Sequence, residues 1–195
     1  MRHRLYWGIS GLVTILIALG SNCFAADSVT WGSLDGGLRL GLATDPANSN
    51  LRVILHNNSP TGLSVLVAMK SGNGRTYGFA FTATALDGKQ YTIWDMQPGS
   101  MRAVAGVLLP EITSLAPGTT REFSFPLRDL VYMAQGGRFI PLDSLLQRGY
   151  AFTASLEVRQ KNLDGAVMGG IPRPVVGRLW TGRVTCSLRP LNSGH

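Results

Sequence analysis

The sequence predicts an all-β protein, an antiparallel two-sheet sandwich with long inter-strand insertions, behind a short cleavable leader. Three observations carry this. Apolar residues recur at every second position in short runs, and each run is bounded by Gly, Pro, Asn or Asp. No segment sustains the 3.6-residue spacing of an amphipathic helix. The first 25 residues carry the basic, apolar and small-residue succession of an export signal.

The leader comes first. Arg2 and Arg4 form a positive start, and Leu5 to Gly20 is an apolar run too short to span a bilayer comfortably. Cys23 and Ala25 then put small residues where a signal peptidase requires them. Cleavage is expected after Ala25, so residues 1–25 are a signal peptide and residues 26–195 a single domain. An uncleaved anchor is one alternative. A lipoprotein is the other, because Cys23 ends the apolar run; Asn22 stands where the usual lipobox has a small residue, and membrane attachment follows only if Cys23 is lipidated. The whole chain has 195 residues and a formal net charge of +7. A domain of this size buries about 70% of its unfolded surface.

Loss of Arg2 and Arg4 leaves a mature chain that is still basic, and the excess is nearly all arginine. Such a bias is a weak argument for an anionic partner. With Cys23 in the leader, Cys186 stands alone and no intrachain disulfide forms in the mature chain.

Leu38, Leu40 and Leu42 make a half-buried strand after the turn Leu34–Gly37, and 45–50 is a loop. Leu51, Val53 and Leu55 alternate on one strand, Leu63, Val65, Val67 and Met69 on the next. Asn57 to Gly62 between them are turn formers, so the spacing predicts a β-hairpin over Leu51–Met69. Ser71-Gly72-Asn73-Gly74 turns into one long strand through Tyr77, Phe79, Phe81, Ala83 and Ala85. Asp87-Gly88 closes a hairpin onto Tyr91 and Ile93. Arg102 to Leu109 is a further strand that Pro110 is expected to stop.

Leu115 to Thr119 is a sharp turn before Phe123, Phe125 and Leu127. Asp129–Ala134 and Leu142–Arg148 read as short helical turns. Tyr150 to Val158 is an amphipathic strand, 160–177 a Gly/Pro-rich connection and Leu179–Arg189 the last strand. In that last strand Trp180, Val184, Cys186 and Leu188 share the inward face, which makes Cys186 a small core residue rather than a reactive thiol. A closed barrel is the alternative architecture. Uneven strand lengths and long connections at 96–122 and 127–149 favour the sandwich.

The succession Trp31-Gly32, Gly37 to Leu40, Leu51 to Ser59, Asp87 to Lys89 with Trp94, Leu115 to Gly118 before Phe123, Gly149 to Ala154 and Leu179 to Thr185 resembles secreted bacterial immunoglobulin-like domains. Its middle part, Leu51 to Leu127, is similar to the intracellular proteinase inhibitor-like domain. The resemblance implies an immunoglobulin-like sandwich. Its motifs are turns and core positions, so it says little about activity.

Catalytic chemistry finds little support. The mature chain has two histidines, His56 at a strand end and the terminal His195, and no Gly-x-Ser-x-Gly elbow. His56 reads as a solvated strand residue. Two histidines and one inward cysteine do not make a zinc site, and no EF-hand spacing occurs, so neither metal nor cofactor is expected. Gly72-Asn73-Gly74 precedes a strand, not a helix, and so is a hairpin turn rather than a phosphate loop. Outward Arg39, Arg183 and Arg189 would form a stripe if the first and last strands are neighbours. Without interleaved aromatics such a stripe does not make a nucleic-acid site, and no nucleic-acid partner is expected.

The expected function is that of an exported, periplasmic or secreted, non-enzymatic domain that binds another protein of the cell envelope. Val167, Met168, Ile171 and Arg173 on the Gly/Pro-rich connection are the candidate partner-binding residues. The alternatives are a carbohydrate-binding module, which needs Trp31, Trp94 and Trp180 exposed in one plane, and a small envelope hydrolase using scattered carboxylates among Glu111, Glu122 and Glu157.

Overall fold

The computed structural model describes residues 28–45, 48–71, 74–97, 109–159 and 179–188. The leader at 1–25, the expected strand at 102–108, Arg189 and the connection 160–177 lie outside the described residues.

The chain is all-β, with several antiparallel sheets packed together. A four-stranded sheet has the order β1-β2-β3-β9, formed by β1 (Thr30–Asp35), β2 (Leu38–Asp45), β3 (Asn50–Asn57) and β9 (Thr120–Pro126). The six-stranded sheet has the order β11-β10-β7-β6-β12-β13. Its strands are β6 (Phe79–Thr84), β7 (Gln90–Asp95), β10 (Leu130–Met133), β11 (Phe139–Pro141), β12 (Ala151–Val158) and β13 (Gly182–Leu188). A small third sheet, β5-β4-β8, consists of β4 (Leu63–Ser71), β5 (Gly74–Tyr77) and β8 (Leu109–Leu115).

Alternation decides what each strand buries. Leu38, Leu40 and Leu42 of β2, Leu51, Val53 and Leu55 of β3, and Phe123 and Phe125 of β9 point into one core. Phe79 and Phe81 of β6, Phe152, Ala154 and Leu156 of β12, and Val184 and Cys186 of β13 meet them there. Aromatic rings join the layers edge to face: Phe79 with Phe123 at 5.1 Å, Phe81 with Phe125 at 5.2 Å, and Tyr77 with Phe125 at 5.2 Å.

The expected hairpin over Leu51–Met69 does not form. Both strands are present, but β3 pairs with β2 and β9, and β4 pairs with β5 and β8. Residues 57–62 instead arch from one sheet to another, because the two apolar faces meet across the core rather than lying side by side. Asn57 holds this arch. It is the buried polar residue of the described core, 0% exposed. Its amide Nδ2 donates to the carbonyls of Thr61 at 2.7 Å and Leu115 at 3.0 Å, and its Oδ1 accepts from the Ser59 N–H at 2.8 Å. Its backbone bonds Thr119 O at 3.0 Å and the Gly118 N–H at 2.9 Å. The second crossing, between β8 and β9, is thereby tied to the first.

Three further expectations are corrected. The single strand through Tyr77 to Ala85 breaks at Gly78, whose N–H donates to Val67 O at 2.7 Å as the chain passes from the three-stranded to the six-stranded sheet. Pro110 lies inside β8 rather than ending it, since β8 is an edge strand where a missing N–H is tolerated. Asp129–Ala134 is not helical: Leu130 and Val131 pair with Asp95 and Trp94, and sheet pairing overrides a weak local signal. The other expected helical turn is present as α1 (Leu142–Gln147), closed by Gly149 at φ +79°.

Candidate functional site

Val167, Met168, Ile171 and Arg173 lie outside the described residues, so the structure neither gathers nor separates them. Among the described residues an apolar surface of similar chemistry stands out, and it was not singled out from the sequence. It lies on the outer face of the six-stranded sheet, at the β11 edge.

Register builds it. Trp94 of β7 pairs with Val131 of β10, Val131 also pairs with Pro141 of β11, and Met133 pairs with Phe139. Directly opposed residues share a face, so Trp94, Val131, Met133, Phe139 and Pro141 all project to the same side. Ile93 and Leu130, on the opposite side, belong to the main core cluster; on the patch side Val131 is itself buried, 6% exposed. Trp94, Met133 and Phe139 are 48%, 52% and 51% exposed. Arg138 is exposed in the turn before Phe139. The β11 edge itself is short and ends at Pro141, which blunts it against addition of another strand.

A signal for this surface does exist in the sequence. Met133 and Phe139 flank the turn Ala134–Arg138, and Gly136 and Gly137 there have φ +84° and +77°. Recognising it required reading 130–141 as a hairpin, which the helical reading of Asp129–Ala134 prevented.

The remaining candidates disperse. His56 is not a solvated strand residue: its ring lies 5.6 Å from that of Trp31, and its Nδ1 is buried without a hydrogen-bond partner. Arg39, paired with His56 across β2 and β3, places its guanidinium 5.7 Å from the Trp31 ring centroid and donates through Nε to Gly32 O at 3.2 Å. Arg183 stands opposite Glu157 in the β12–β13 ladder. β1 and β13 do lie side by side, but Arg39 is taken up by the Trp31 stack.

The three glutamates sit on three different sheets, each in an ion pair. Glu111 binds Arg75 at 2.8 Å and Lys70 at 3.3 Å, Glu122 binds Arg52 at 3.4 Å, and Glu157 binds Arg159 at 2.6 Å. They are not brought together. The described residues contain no cluster of three or more His, Cys, Asp or Glu placed to hold a metal ion.

The tryptophans separate as well. Trp180 is buried, as its register predicts; Trp31 covers Gly41 on the four-stranded sheet, and Trp94 is exposed on the six-stranded one. Cys186 is 2% exposed, its thiol donates to Thr30 O at 3.0 Å, and burial pushes the thiol pKa up.

Comparison with family models, with curated proteins and with solved structures returns no significant match.

Proposed function

We propose that the protein is an exported, non-enzymatic immunoglobulin-like domain that binds another protein of the cell envelope through the outer face of its six-stranded sheet. The observation that carries this reading is the group Trp94, Met133 and Phe139, three large apolar side chains about half exposed on one face. Aromatic and methionine side chains are enriched in the desolvated centres of protein interfaces, and a few such anchors supply most of the binding energy.

The test is capture from envelope extract by purified protein, compared with Trp94→Ala/Phe139→Ala. The expected result is loss of one defined partner with the thermal unfolding curve unchanged. If that variant still captures the partner, and replacing Val167, Met168, Ile171 and Arg173 together abolishes capture, the contact belongs to the 160–177 connection and the sheet-face reading fails. Loss of the biological role on His56→Ala, with capture intact, would instead favour a hydrolase.

A further inference from the structure

We propose that β1 is an exchangeable strand, and that the slot between β2 and β13 accepts β1 of a second copy of this chain to give a strand-swapped dimer. β1 buries none of its side chains fully: Thr30, Ser33, Leu34 and Asp35 are exposed, and Trp31 is half-buried. On one side it pairs with β2 at Thr30↔Leu42, Trp31↔Gly41, Leu34↔Arg39 and Asp35↔Leu38, with an irregularity between Trp31 and Leu34.

On its other side β1 meets β13 through side chains instead of a backbone ladder. The N–H groups of Arg183 and Thr185 donate to Asp35 Oδ2 at 2.8 Å and Ser33 Oγ at 2.7 Å. The Trp180 indole N–H donates to Asp35 O at 3.0 Å, and the Cys186 thiol donates to Thr30 O. Side-chain oxygens of β1 thus stand where the carbonyls of a paired strand would be.

The slot is selective. A Cβ at Gly32 would collide with Thr185 O and with Cys186 Cα, so the incoming strand must carry glycine there. It must also supply acceptor side chains one and three residues further on, as Ser33 and Asp35 do. A second copy brings that pattern by construction, whereas an unrelated partner would have to match it. Exchange remakes every contact of β1 in the other copy, so the balance turns on the hinge. That hinge is the two-residue turn Gly36-Gly37, at φ +52° and +80°, and glycine also reaches the extended conformation that an open hinge requires. None of this depends on the apolar patch.

The test uses Ser33→Cys/Thr185→Cys in a Cys186→Ala background; the native Oγ atoms are 3.3 Å apart. Nitrogen-15-labelled and unlabelled protein are mixed at high concentration in urea just below the unfolding transition, returned to buffer and oxidised. The expected product is a covalent dimer of mixed mass joined through residues 33 and 185. Locking the disulfide before mixing should abolish it. Only intramolecular 33–185 bonds at every concentration, or equal dimerisation of the locked form, would overturn the proposal. Wild-type protein taken through the same cycle gives a second reading by native mass spectrometry: mixed-mass dimers support exchange, and monomer alone refutes it.

Discussion

Replacing Asn57 by alanine should destabilise the protein more than any other single polar truncation among the described residues. The side chain is fully buried where two sheet crossings meet, and it makes three hydrogen bonds. Truncation removes the amide donor from the carbonyl of Leu115, a residue 3% exposed, and a buried acceptor that loses its donor costs about 1–3 kcal/mol. The Thr61 carbonyl and the Ser59 N–H lie where water can replace the amide, so those losses are about 0.5–1.5 kcal/mol each. Together they come to roughly 4 kcal/mol, a large share of the ~5–15 kcal/mol that typically separates folded from unfolded domains. Urea unfolding at neutral pH measures it. Asn57→Asp should do no better, because it keeps the acceptor for Ser59 but turns an oxygen toward two carbonyls. A loss below about 1 kcal/mol with an unchanged denaturant slope would show that the arch does not depend on this side chain.

Phe152, fully buried and stacked on Phe81 at 5.7 Å, should cost about 3–5 kcal/mol as Phe152→Ala; a change in the range of surface substitutions would mean the β12 register is wrong. Burial raises the Asp95 carboxyl above its ordinary 3.8, against a lowering by the Gln97 N–H and with a smaller rise from Asp129. The folded state therefore keeps this proton to higher pH than the unfolded chain, and the associated stability is complete below the unfolded pKa and lost as pH rises through the folded one. Asp95→Asn should match wild type near pH 3 and exceed it at pH 7, and a difference that does not grow with pH would contradict this assignment. Native Cys186 should resist a thiol-specific reagent until the protein unfolds; modification at the rate of a free thiol would show that the β1–β13 seam stands open.

Local pattern was enough for much of the fold. The period-2 runs at Leu38–Leu42, Leu51–Leu55, Phe79–Ala83, Phe123–Phe125, Phe152–Val158 and Val184–Cys186 specify strands and their buried faces, because alternation is a property of each strand's own backbone; β4 departs from it, burying Leu66 and Ala68 as well as Val65 and Val67, with a register irregularity between Leu66 and Ala68. The inward pair Val184 and Cys186 of β13 follows from the same rule, while the turns at Asp87-Gly88 and Pro117-Gly118 follow from their turn residues; Trp180 is buried just before β13, beside the equally buried Leu179. The hairpin closed by Asp87-Gly88 pairs β6 with β7 as its turn residues predict, but which of the other strands lie beside one another was decided by the tertiary structure. An arch and a hairpin use the same turn formers, and only the meeting of two apolar faces across the core, with Asn57 bonded to Leu115 from 58 residues away, distinguishes them. The apolar surface at Trp94, Met133 and Phe139 has the same origin. Each residue is an ordinary outward position on its own strand, and cross-strand register through Val131 is what makes them neighbours.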